Sequence, residues 1–146
     1  LIARKMEISD NVIPSANSQM AKNLFVLGKY FYDAAYIEKS KQMLSNVKKN
    51  ALTGGAYYAN WDILMAWFAN EPYEVAILGE DFLNTRKEFD KHYLPNVFLS
   101  GGKKEGTLEL LENKHIQGQT TIYACQNKVC KLPNKEAKEV LLQIME

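Results

Sequence analysis

Histidine and cysteine are scarce here, with two of each in 146 residues. A structural zinc site needs four such ligands at fixed spacing, so neither a metal nor another cofactor is expected. Two cysteines do not make a disulfide framework. An excess of one charge is missing too: the formal net charge is +1. That gives no bulk electrostatic case for nucleic acid or an anionic membrane. The pairs Lys48–Lys49 and Lys103–Lys104 read as solvated surface. No apolar run is long enough to span a bilayer, and no basic, apolar and small-residue succession marks a leader. No membrane partner and a cytoplasmic location are therefore expected. The chain starts at Leu1 rather than Met, which reads as a processed protein or a piece of a longer one.

What is abundant is apolar surface, at 47% hydrophobic and 11% aromatic residues. Residues 56–69, AYYANWDILMAWFA, concentrate it. At 3.6 residues per turn these side chains cover nearly the whole circumference of a helix. Such a helix needs cover from at least two directions. The expectation is that it lies between the other helices and a sheet.

The chain in order supplies those elements. Residues 1–11 read as an extended lead-in. Pro14 biases Ile13 away from helix, and Ser15 or Asn17 is a suitable N-cap. Met20, Leu24, Leu27 and Phe31 follow at spacings of four, three and four, predicting a helix over 16–32. Ala21, Phe25 and Gly28 widen its apolar face, and Gly28 permits close packing. Asp33 caps a second helix over 34–50, with Tyr36, Ser40, Met43, Leu44 and Val47 inward. Gly54-Gly55 separates it from the central helix, and short links predict antiparallel neighbours.

Composition changes at Asn70-Glu71-Pro72. Residues 74–79 read as a buried strand and 81–93 as a helix, with Phe82, Phe89 and Tyr93 near one face. Residues 96–100 read as a second strand, so strand–helix–strand order predicts a parallel crossover. Residues 107–112 are a short helix or an edge strand. Residues 119–126 are a third strand, and Asn134 caps a last helix over 135–144. The expected class is α+β or α/β: an antiparallel helical array over 1–71, then a small three-stranded, mostly parallel α/β unit over 72–146, sharing one core.

Candidate chemistry is sparse, and no catalytic residue is identified. Asp10, Asn11, Ser15, Asn17 and Ser18 are the densest cluster of short polar groups. They are a capping and turn cluster, or a site for a hydroxyl-rich ligand. Cys125 and Cys130 lie five positions apart, against the three of a thioredoxin-type motif. They read first as unbridged structural cysteines, with a disulfide or redox pair and a metal site as alternatives. Gly79-Glu80-Asp81 reads as a plain strand-to-helix turn, because Glu80 and Asp81 would repel a phosphate. His92 and His115 read as surface or packing residues. Asp62 reads as a paired buried carboxylate, or as one facing a cavity.

Two motifs carry a resemblance. Asp10, Pro14, Ser15, Asn17 and Ser18 fit Asp-x-x-x-Pro-Ser-x-Asn-Ser. Tyr123, Cys125, Asn127, Cys130 and Pro133 fit Tyr-x-Cys-x-Asn-x-x-Cys-x-x-Pro. In this order they resemble the C-terminal region of large thioredoxin-domain-containing proteins, including the spermatogenesis-associated thioredoxin-like family. These carry an α/α-barrel similar to N-acylglucosamine 2-epimerases and six-hairpin sugar enzymes. The resemblance implies a non-catalytic C-terminal fragment holding the last barrel hairpins. It also implies a sugar-like ligand at Asp10, Asn11, Ser15, Asn17 and Ser18 in the intact protein. Apolar helix faces left bare would then drive homo-oligomerisation. The competing expectation is a stand-alone redox or protein-interaction module using Cys125 and Cys130.

Overall fold

The computed structural model describes residues 6–145. Residues 1–5 of the predicted lead-in lie outside the described residues. The chain is α+β and divides into two compact units, Leu1–Ala69 and Asn70–Glu146.

The helical unit holds α1 (Ala16–Phe31), α2 (Ala34–Gly54) and α3 (Ala59–Ala69). Ser15 is the N-cap of α1, its Oγ accepting from the Ser18 N–H at 3.0 Å. Asp33 caps α2 by accepting from the N–H groups of Ala35 and Tyr36. These caps satisfy donors that a helix start leaves unpaired, and so fix where each helix begins. α2 runs one turn past the predicted end, and a 3-10 turn (Gly55–Tyr58) leads into α3.

Which side of α1 faces inward differs from the sequence reading. Ser18, Ala21, Phe25 and Gly28 are buried, whereas Met20, Leu27 and Phe31 are 53%, 42% and 60% exposed. The two stripes lie ~100° apart round the helix. Small residues win the inward face because α2 comes close. A Cβ on Gly28 would lie 2.7 Å from Ile37 Cδ1, and Ser40 Oγ on α2 donates to the Ala21 carbonyl of α1 at 2.8 Å. Phe25 then stacks on Trp67 with ring centroids 5.5 Å apart and meets Phe68 edge-on at 4.9 Å. In α3, Trp61 and Leu64 are buried, while Ile63 stays 43% exposed. This helix is therefore apolar all round but not enclosed all round. Asp62 is exposed, which corrects its reading as a buried or cavity-facing carboxylate.

The second unit holds β1 (Tyr73–Leu78), α4 (Phe82–Phe89), β2 (Val97–Gly102), β3 (Thr121–Gln126), β4 (Val129–Cys130) and α5 (Ala137–Met145). The sheet order is β2-β1-β3-β4. β1 and β2 pair in parallel, Val75 opposite Leu99. β3 runs antiparallel to β1, and β4 antiparallel to β3. The sheet thus has four strands rather than three and is mixed rather than mostly parallel. A long connection brings β3 back in the opposite sense, and a hairpin adds β4. One face carries the core, in which Val75, Ile77, Ile122 and Ala124 meet Phe89 of α4 and Val140 and Leu141 of α5. α4 ends at Phe89, so Tyr93, expected on its face, is 89% exposed. Residues 109–111 form a short 3-10 turn, resolving the helix-or-strand ambiguity there. Asn134 Oδ1 accepts from the Glu136 N–H before α5, and Asn134 also bridges Ile122 by two backbone hydrogen bonds of 2.7 and 2.9 Å.

Candidate functional site

The polar cluster before α1 condenses round one carboxylate. Asp10 Oδ1 accepts from the Ser15 N–H at 2.9 Å and the Ser18 hydroxyl at 2.6 Å. Asp10 Oδ2 accepts from the Asn60 N–H of α3 at 2.9 Å, and the Asp10 N–H donates to the Tyr57 carbonyl at 2.7 Å. Two residues earlier in the lead-in, the Ile8 carbonyl accepts from Ser15 Oγ at 3.0 Å and from Trp61 Nε1 at 2.8 Å. Asn17 Nδ2 donates to the Glu7 carbonyl at 2.7 Å. Asp10, Ser15 and Ser18 are therefore buried and bonded to protein. Asn17 is half-buried and Asn11 exposed. Burial pushes the Asp10 carboxyl up. Hydrogen bonds from Ser18, Ser15 and Asn60 outweigh it and hold the group below its ordinary value.

The geometry makes this cluster a staple joining the lead-in, α1 and α3. A cleft of about 480 Å³ lies beside it, where Ser9, Asn11 and the half-bare Tyr57 ring are open to a ligand. The sequence offered capping and ligand binding as alternatives. Asp10, Ser15 and Ser18 spend their polar groups on the staple, and the ligand-accessible groups are their neighbours.

Cys125 and Cys130 form a disulfide, which corrects their reading as unbridged structural cysteines. They are direct cross-strand partners in the β3–β4 hairpin. Asn127 and Lys128 make its two-residue turn, both with positive φ of 49° and 65°. That is the primed turn that matches strand twist. Cys125 is wholly buried and Cys130 half-buried. The direct partner of Cys125 on β1 is Glu74, itself buried. Redox-active thiols need a neighbourhood that stabilises thiolate. Burial of Cys125 away from water does the reverse, so this bond has the surroundings of a structural clasp.

A third site includes the Gly79-Glu80-Asp81 turn and His115, which nothing in the sequence brings together. At the carboxyl end of β1, a cleft of about 1010 Å³ is lined by Glu80, Asp81, Lys104, Glu105, His115 and Gln119, among others. Gly79 turns the chain into it with φ 136°. A Cβ there would lie 2.5 Å from Thr120 Cα. Asp81 N–H donates to Thr120 Oγ1 at 3.1 Å. Glu105 Oε1 accepts from the N–H groups of Lys114 and His115, both at 2.8 Å. Those bonds, His115 foremost, hold the Glu105 carboxyl below its ordinary value. Lys103, 2.9 Å from Glu80, does the same to that carboxyl through its hydrogen bond and its charge. The residues come from three loops, 79–81, 104–105 and 115–120, and only the fold assembles them. His115 is here and half-buried. His92 is exposed beyond α4.

Among the described residues there is no cluster of three or more histidine, cysteine, aspartate or glutamate side chains able to hold a metal ion. No helix of the described residues is long and apolar enough to cross a membrane. Comparison with protein-family models, curated proteins and solved structures finds no match.

Proposed function

We propose that this chain is a non-catalytic assembly module: the closing helices of a larger helical array, followed by a small α/β unit. In this reading the array is the α/α-barrel of a thioredoxin-like, epimerase-like protein, as the two motifs suggest. The observation that supports it best is the outward stripe of α1. Met20, Leu27 and Phe31 recur at helical spacing and are about half exposed. Burying side chains of this kind contributes ~1.5–3 kcal/mol each. A neighbouring hairpin of the array would cover them, and a second copy covers them when the chain is alone.

The test is light scattering during size-exclusion over a concentration series. The chain is expected to run as a dimer or larger, and Leu27→Lys with Phe31→Lys as a monomer. A parent chain that stays monomeric at high concentration overturns the reading.

The sugar-like ligand belongs to the cleft beside Asp10, with the Tyr57 ring and the Asn11 amide as its contacts. An aromatic face beside an amide suits a pyranose, which has an apolar face and hydroxyl edges. Calorimetric titration with glucose and N-acetylglucosamine is expected to show saturable binding that Tyr57→Ala weakens at least fivefold. Equal binding by Tyr57→Ala removes this cleft from the reading. The redox alternative has less support, because Cys125 is wholly buried and burial disfavours a thiolate. Insulin reduction by the chain, lost in Cys125→Ser, would reinstate it.

A further inference from the structure

A second, smaller groove lies in the α/β unit and has a different character from the polar clefts. Phe82 and Leu83 of α4, Leu99 of β2, and Leu108 and Leu111 beside the 3-10 turn line about 310 Å³, with Ile77 below. This volume and this apolar lining fall at the small end of ligand sites, which span roughly 300–1,000 Å³. Arg86 is its charged lining residue, and none of the lining residues is acidic. The Arg86 guanidinium is half exposed and faces Asp90 at 3.5 Å, one turn along α4. An exposed pair of that kind is weak, so the guanidinium is free to take another anion. Arginine donates through five N–H groups and accepts none, and it pairs with carboxylates in a two-pronged geometry.

Apolar walls with a cation match one kind of molecule: an apolar body ending in an acceptor-only, negatively charged head. We propose that this groove binds a small apolar carboxylate, its tail among Phe82, Leu99, Leu108 and Leu111 and its head on Arg86. The site is independent of the helical stripe and of the cleft at Tyr57.

Octanoate is the probe, with octanol and acetate as controls, followed by amide chemical shifts of the whole chain. Octanoate is expected to give saturable shifts at Phe82, Leu99 and Leu108, and acetate none. Arg86→Gln is expected to weaken octanoate at least fivefold and leave octanol unchanged. Leu108→Trp, which fills the groove, is expected to abolish both. Arg86 is exposed, so its replacement leaves the fold intact. Octanoate binding that Arg86→Gln does not weaken overturns the proposal, as does the absence of saturable shifts. Shifts that vanish in Phe31→Lys would place the binding on α1 and also overturn it.

Discussion

Asp10→Ala is expected to be among the most damaging single substitutions in the helical unit, costing ~3–5 kcal/mol. The carboxylate accepts from Ser15, Ser18 and Asn60; alanine leaves the Ser15 and Asn60 N–H groups without that acceptor, while the Ser18 hydroxyl keeps the Ser15 carbonyl at 3.0 Å. Each such orphan costs ~1–3 kcal/mol, and the two share one site, so they do not add fully. Against a typical stability of ~5–15 kcal/mol the thermal midpoint should fall by on the order of 10 °C. A melt within about 2 °C of the parent would show that the staple carries little. Asp10→Asn keeps one acceptor oxygen and should lose less. It also isolates the charge. The folded pKa of Asp10 is depressed, so its stabilisation is fully present above the unfolded value of about 3.9 and is lost as pH falls through the folded value. The parent should therefore weaken below about pH 4, and the gap between parent and Asp10→Asn should shrink there.

Trp61→Ala comes next, at ~3–5 kcal/mol for a large buried ring. The indole is 1% exposed, and its Nε1–H donates to Ile8 at 2.8 Å. Trp61→Phe refills most of the space but cannot donate, so it should cost ~1–2 kcal/mol. Denaturant midpoints of the three proteins give the order. If alanine and phenylalanine cost the same, packing is not the main term. Asp10 and Trp61 both hold the lead-in, so the double variant should fall short of the sum by more than ~0.5 kcal/mol.

Local signals in the sequence were enough to place most elements. Ser15 and Asp33 mark helix starts through side chains that accept from nearby N–H groups, and Pro72 marks the change of architecture. Facing was harder. α1 has two apolar stripes, and periodicity alone does not rank them. Gly28 held the clue, because the absent side chain is what lets Ile37 approach. The hairpin was faint for another reason. Asn127-Lys128 lacks the glycine that usually announces a primed turn, and β4 is two residues long. With that turn in place, cysteines five apart fall opposite each other, which periodicity read without the turn does not show. The staple was half legible: its residue types were visible, but its partners Tyr57, Asn60 and Trp61 lie about 50 positions away. The cleft at the end of β1 was not legible, since its three loops are far apart in sequence.

The clasped hairpin has one more consequence. Lys128, at the outer bend, is exposed and follows a chain reversal, which makes it an accessible point for a trypsin-like protease. A cut there would open the backbone but not part the pieces. The sulfur bridge and the backbone bonds from Lys131 to Ala124 and between Asn134 and Ile122 all lie to either side of the nick. In denaturant the clipped protein would travel as one species until a reductant released the short piece 129–146.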